Sequence, residues 1–264
     1  MVSMFRRFFR DTAEYTDLTV YMARSGLKAE VANSYLNWIW WVLEPLASML
    51  VYYIIFVNIL GKGQPYYVVY IYTGTLIWSY FNRCVLFAVS AVRLNRDIIT
   101  KTYVPKPILL LSNMLFNSIK MLISAAILAV LFAVQGVPLA WSILWVLPLL
   151  VLLQMLTFGF CLILLHFGVF VEDLAHAIRI VMNIVLYLTG VFYDLRTVLP
   201  APWGSILVRV NPLAMIISAV RDSMLYGKTP DLITAAVWLV LSAALCAIGL
   251  RLCYRYENTY VKVI

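Results

Sequence analysis

The 264-residue chain is 64% hydrophobic and 12% charged, with a mean hydropathy of +0.93, which excludes a soluble globular protein and puts most of the chain in lipid. Its net charge of +8 does not by itself point to nucleic acid, because Lys and Arg of membrane proteins collect on the cytoplasmic side. No stretch has the composition of a separate soluble domain, so residues 1–264 read as one transmembrane domain.

The N-terminal stretch MVSMFRRFFRD has the positive charge of a signal peptide but no clean apolar core or small-residue cleavage site, so it is expected to stay, on the cytoplasmic side. Arg6, Arg7 and Arg10 among Phe5, Phe8 and Phe9 suit a tail resting on anionic lipid headgroups. Asp17 is placed to N-cap a helix reaching Leu36, with Leu18, Met22, Ala29, Ala32 and Leu36 on one face and Arg24 and Lys28 on its flank. The pattern predicts an interfacial helix lying flat.

A first span is predicted over 37–60, opening with Trp38, Trp40 and Trp41 and containing Glu44-Pro45. After the polar turn 61–65, a second span covers 67–92, dense in Tyr and Trp and carrying Arg83. The charged segment 93–107, RLNRDIITKTYVPKP, follows. Leu94 and Ile98 share a helical face there, Arg96 and Asp97 lie off it, and Pro105 and Pro107 keep a helix from running on. The segment reads either as a short surface helix shaped for a partner or as an ordinary basic loop.

A third span over 108–134 carries Lys120, a fourth covers 141–171, and the turn Glu172-Asp173 leads to a fifth over 175–193. Residues 194–231 are too proline-broken to cross a bilayer and too apolar for a solvated loop. Two apolar pieces split by Asn211-Pro212 predict a re-entrant hairpin, tolerated where protein or a wet cavity covers its backbone. A sixth span over 232–253 ends in a polar tail.

With both termini inside, this all-α layout puts thirteen basic residues on the cytoplasmic side, among them Arg24, Lys28, Arg93, Arg96, Lys101 and Lys106. Five lie outside: Lys62, Arg196, Arg209, Arg221 and Lys228. Cys84, Cys161, Cys246 and Cys253 sit in or at the ends of apolar runs without a Cys-x-x-Cys pair and read as small packing residues.

Gly227-Lys228-Thr229 has the end of a phosphate-binding loop, but Asp222 stands where its first glycine is required and no strand precedes it. The chain therefore offers no nucleotide site, and any ATP must be hydrolysed by another polypeptide. His166, Glu172, Asp173 and His176 lack the His-Glu-x-x-His spacing of a metalloprotease, and a turn between spans explains the acids. No catalytic or metal-ligating residue is assigned.

The intramembrane Glu44, Arg83 and Lys120 would each cost about 3 kcal/mol facing lipid, so they should face the protein interior. Pairing of Glu44 with Lys120 or Arg83 competes with substrate contact as their role. Belts and packing account for most of Tyr52, Tyr53, Tyr70, Tyr72, Trp78, Tyr80 and Phe81, with a minority left to line a path where sugar rings stack.

The order of motifs resembles the permease subunits of type-2 ATP-binding-cassette exporters. The likeness runs through Trp41-Val42-Leu43-Glu44-Pro45-Leu46, Gly74-Thr75-Leu76-Ile77-Trp78-Ser79-Tyr80-Phe81, Asn95 to Lys101, Phe170 to Leu174, Gly190-Val191-Phe192-Tyr193 and Asn211-Pro212-Leu213. It covers nearly the whole chain. Where many members have Arg-Asp after the fourth span, this chain has Glu172-Asp173.

The resemblance implies a homodimer in the bacterial cytoplasmic membrane, in contact with anionic lipids and docked on two ATPase subunits that bind the ATP and Mg. The chain itself would hold no cofactor. The segment after the second span becomes the coupling helix, with Arg93, Arg96, Asp97, Ile98, Lys101, Tyr103 and Lys106 facing the ATPase. The substrate implied is an undecaprenyl-pyrophosphate-linked polymer, wall teichoic acid ahead of O-antigen or capsular polysaccharide. Arg24 and Lys28 are expected to meet its pyrophosphate, and Trp38, Trp41, Glu44, Tyr52, Tyr80 and Arg83 to line the path. The rivals are a small-molecule exporter permease and a membrane enzyme acting on polyprenyl phosphates.

Overall fold

The computed structural model describes residues 2–32, 37–59 and 65–263, so the end of the predicted interfacial helix and most of the 61–65 turn lie outside the described residues. Two helices precede the spans: α1 (Val2–Glu14) and α2 (Thr16–Val31). The N-terminal tail is thus helical rather than loose. Asp17 falls inside the first turn of α2, and Tyr15 is its N-cap residue without a side-chain cap. Phe8 turns its ring toward Phe158 at 5.6 Å, which draws α1 onto the bundle.

Neither does α2 merely rest on lipid. Gly26 meets Phe116 and Glu30 meets Lys120, so contacts one turn apart fall in the same order on both helices. Over that turn α2 runs alongside a span, with Ala23 buried.

The spans are α3 (Trp40–Tyr53), continued as a π-helical stretch Ile54–Ile59, α4 (Tyr67–Leu94), and, after the short α5 (Arg96–Lys101), α6 (Lys106–Val134). Next come α7 (Val146–Phe170), α8 (Leu174–Leu188), α9 (Leu195–Val198), α10 (Trp203–Val210), α11 (Pro212–Leu225) and α12 (Leu232–Val263). Among the described residues, five helical stretches are long and apolar enough to cross a bilayer: Trp40–Val57, Tyr67–Leu94, Lys106–Val134, Trp141–Phe170 and Leu232–Tyr260.

The predicted fifth span is cut short. α8 has 15 residues, roughly 22 Å against a hydrocarbon core of ~30 Å. Gly190, at φ +68°, turns the chain back. The hairpin fits the prediction better: α10 and α11 meet at 103° around Asn211-Pro212. Asn211 caps α11 by accepting from Leu213 N and Ala214 N, and its Nδ2 donates to Leu188 O at 3.2 Å, so it also closes the end of α8.

α4 is the axis of the bundle, buried against α3, α6, α7, α8 and α11. α12 packs along α7, where Gly159 faces Leu245 and Gly249 faces Leu162. The cysteines sit as packing residues: Cys246 Sγ donates to Met155 O and Cys253 Sγ to Leu162 O.

Pro45 lies inside α3 and has no N–H for the Trp41 carbonyl. The Ser124 hydroxyl of α6 donates to that carbonyl at 2.9 Å, so the broken helix bond is made good by a neighbour.

Both chain ends lie at one end of the bundle. Arg7 of α1, Tyr103 after α5 and Glu257 of α12 meet there, and Arg93 donates to the carbonyls of Gly168 and Val171. The hairpin α10–α11 marks the opposite end, where Ser142 Oγ donates to Ser223 O.

Candidate functional site

Two ion pairs stand inside the apolar region. Arg83 Nη2 of α4 lies 2.6 Å from Glu44 Oε2 of α3, so of the two partners open to Glu44 the structure selects Arg83. Lys120 Nζ of α6 finds Glu30 of α2 instead, at 2.5 Å and 2.8 Å from its two oxygens. Its ammonium also lies over the rings of Trp41, at 5.7 Å, and Phe116, at 5.1 Å. Trp41 Nε1 donates to Glu30 Oε2 at 3.1 Å. Glu30, Lys120, Trp41, Glu44 and Arg83 thus form one charged layer joining α2, α3, α4 and α6.

A cleft of about 250 Å³ opens from this layer between α3, α4 and the end of α8. Glu44, Arg83, Asn82, Ser48, Thr75 and Ser79 give it polar groups, and Tyr52, Trp78 and Phe192 give it aromatic faces. Tyr52 stacks on Phe192 with ring centroids 3.6 Å apart. Thr75 Oγ1 is buried without a hydrogen-bond partner, a free polar atom in the cleft wall.

Of the residues expected to line a path, Glu44, Tyr52 and Arg83 come together here. Tyr80 does not join them. It is buried with its hydroxyl on Gln154 of α7, which in turn donates to Ser118. Trp41 is locked between Glu30 and Lys120, and Trp38 is 56% exposed ahead of α3. The remaining aromatics pack: Tyr70 lies under Arg221, Tyr72 donates to Ser124 O, Tyr53 meets Tyr67 and Phe81 meets Phe160. Sequence reasoning missed Glu30, whose signal was the need of Lys120 for a counter-ion. It also missed Asn82.

The segment 93–107 splits into three. Its helix is only Arg96–Lys101, with Arg96, Asp97, Ile98 and Lys101 exposed and Ile99 buried. Arg93 ends α4 and is held by carbonyls near the end of α7. Lys106 starts α6 and is 3% exposed, donating to Val104 O, because the turn at Pro105 folds it inward. Tyr103 donates to Glu257 Oε2 at 3.0 Å and accepts from Arg7 at 2.8 Å. Burial and the neighbouring Glu257 carboxylate raise the Tyr103 hydroxyl above its ordinary pKa. Burial works against the Arg7 charge, but the hydrogen bond and charge of Glu257 outweigh it and hold Arg7 above its ordinary value.

Arg24 and Lys28 are exposed on α2. Arg221, expected outside the membrane in water, is 2% exposed inside the bundle. His166 pairs with Tyr260 at 2.8 Å, while Glu172, Asp173 and His176 stay exposed around the turn before α8 and in its first turn. Gly227-Lys228-Thr229 lies in the loop between α11 and α12.

The chain is a polytopic helical bundle that holds a charged layer and a polar, aromatic cleft among its spans. The ABC-2 type transporter family signature matches residues 18–225, and the chain belongs to that family. It is a membrane-embedded permease, and the family implies an ABC ATPase as its partner. The chain is 28% identical over 241 residues to the O-antigen export system permease protein RfbA of Myxococcus xanthus, covering 89% of this chain and 92% of the relative. It is 26% identical over 249 residues to a protein of the same name from Klebsiella pneumoniae, covering 94% and 95%.

Proposed function

We propose that this chain is the permease of an ATP-driven exporter for a lipid-linked surface polysaccharide of the O-antigen kind, carried across a bacterial cytoplasmic membrane on undecaprenyl diphosphate. Relatives named for O-antigen export over nearly their whole length favour this substrate over the wall teichoic acid weighed first. The observation that carries the reading is the cleft of Glu44, Arg83, Tyr52 and Trp78 between spans. Aromatic faces beside hydroxyls, an amide and an ion pair suit sugar rings, which are apolar on their faces and polar at their edges. The exposed apolar faces of α3 and α8, with Leu50, Ile54, Ile184 and Leu188, suit a second copy that completes the path.

Both termini and α5 face the cytoplasm in this reading, and two ATPase subunits press on α5. Asn95 alone separates α5 from α4, and its Nδ2 donates to Ala91 O at 2.7 Å. Displacement of α5 therefore reaches the helix that carries Arg83, Trp78 and Thr75. Through residues 102–105 it also reaches α6 and Lys120.

The test is complementation of a strain lacking its own export permease, with this chain supplied together with its cognate ATPase. Surface polysaccharide returns if the reading is right. Retention of lipid-linked polymer inside the cells despite stable expression contradicts it.

A further inference from the structure

The two intramembrane ion pairs share an asymmetry. In each, the cation is the deeper member: the Lys120 side chain is 4% exposed against 42% for Glu30, and Arg83 is 26% exposed against 62% for Glu44. The cations stand on the packed spans α4 and α6, while each carboxylate comes from a segment nearer the N-terminus and is the more exposed partner. Trp41, whose ring lies under Lys120, and Glu44, which pairs with Arg83, stand three residues apart on one face of α3, so the two pairs are neighbours.

Purely structural pairing would be most secure with the carboxylates as buried as the cations, because an exposed carboxylate is screened and open to exchange. Here two cations are fixed in the protein and their anions are the more exposed partners. We infer that Arg83 and Lys120 form a seat for the diphosphate of the lipid-linked substrate, with its two phosphates taking the places of Glu44 and Glu30. This inference rests on the function proposed above. A diphosphate matches two adjacent cations, with the guanidinium suited to a forked grip on phosphate oxygens and the ammonium acting as a point charge.

Loading has a mechanical consequence. Glu30 is the acceptor for Trp41 Nε1 and the tie between α2 and Lys120. A phosphate that displaces Glu30 therefore removes the charged tie between α2 and α6 and loosens the start of α3 beside the cleft. Substrate arrival and opening of the path become one event.

The experiment measures binding of farnesyl diphosphate, with farnesol and inorganic pyrophosphate alongside, to the permease–ATPase complex in nanodiscs of phosphatidylethanolamine. Glu44→Gln and Glu30→Gln are expected to bind farnesyl diphosphate about tenfold more tightly, and Arg83→Gln and Lys120→Gln about tenfold more weakly. Lys228→Gln, in the exposed loop at the hairpin end, binds as the wild type does. Unchanged or weaker binding in the carboxylate variants, or wild-type binding in the cation variants, overturns the seat. Glu44 is the more exposed carboxylate and does not hold α2, so its variant keeps the test alive if Glu30→Gln fails to fold. Charge-dependent binding of inorganic pyrophosphate without binding of farnesyl diphosphate overturns the lipid-borne source. If the complemented strain exports polymer while all four variants bind alike, the seat falls and the export function stands.

Discussion

Nη2 of Arg221 lies 2.5 Å from the carbonyl oxygen of Val191, and the same guanidinium sits 3.5 Å from the centre of the Tyr70 ring. Its Nε donates to Tyr70 O and its Nη1 to Gly190 O, so one cation joins the hairpin, α4 and the chain just past α8. Carbonyls at a helix C-terminal end are a favourable setting for a positive charge. A Cβ on Gly74 would lie within 2.2 Å of Nη2, so the site also requires the bare glycine.

Replacing Arg221 by Met takes a donor from three carbonyls, two of which, Gly190 O and Val191 O, lie past the end of α8, and is expected to cost about 3–5 kcal/mol. Gly74→Ala is expected to destabilise as well, by about 1–3 kcal/mol. Thermal unfolding of the purified complex checks both. A variant of either residue that melts with the wild type removes the staple.

The Glu44–Arg83 pair opens on the polar cleft, where water screens it, so breaking it should change stability by less than about 1 kcal/mol. Its effect on export should be far larger. Arg83→Gln is predicted to lower export at least about tenfold at equal expression. The exchanged pair Glu44→Arg with Arg83→Glu restores stability without restoring export, because the deep position needs the cation. Full export from the exchanged pair contradicts a substrate role.

Arg96→Glu with Lys101→Glu reverses charge on the exposed face of α5 while leaving buried Ile99 in place. The predicted result is a protein that inserts and retains its ATPase's hydrolysis but loses export. Unchanged export counts against docking on α5.

Arg7, Tyr103 and Glu257 tie the segment after α5 to α1 and α12, and Tyr254 adds a bond to Asp11 at 2.9 Å. Glu257→Gln should loosen the 102–105 segment and lower export per ATP hydrolysed by about two- to fivefold. The ratio of the two rates is the readout, and an unchanged ratio reduces the cluster to a local tie.

Much of this arrangement was legible in the residues. Apolar length gave the long spans, Asn211-Pro212 gave the bend of the hairpin, and the cost of Glu44 and Arg83 in lipid required them to meet a partner. The misses at Arg221 and Lys106 share a physical cause: long cationic side chains reach past the segment that carries them. Arg221 reads as an outer basic residue because it belongs to the hairpin at the outer end, yet its apolar neighbours Ala219, Val220 and Leu225 argue for burial. Lys106 reads as part of a partner-facing segment, but it is buried and donates to Val104 O, whereas Arg93 stays exposed while donating to the carbonyls of Gly168 and Val171. Glu30 is not legible as the partner of Lys120, because nothing in the sequence sets α2 beside α6. The end of α8 depended on a positive φ at Gly190, which composition does not reveal.

The central claim is a permease that moves a lipid-linked polysaccharide on energy supplied by a separate ATPase. Its most direct test is transfer of such a polymer across proteoliposomes containing this chain with and without the ATPase. The account predicts ATP-dependent transfer only when both are present, and no ATP hydrolysis by the permease alone. Transfer or hydrolysis by the permease alone, or hydrolysis by the pair with no movement of polymer, would contradict it.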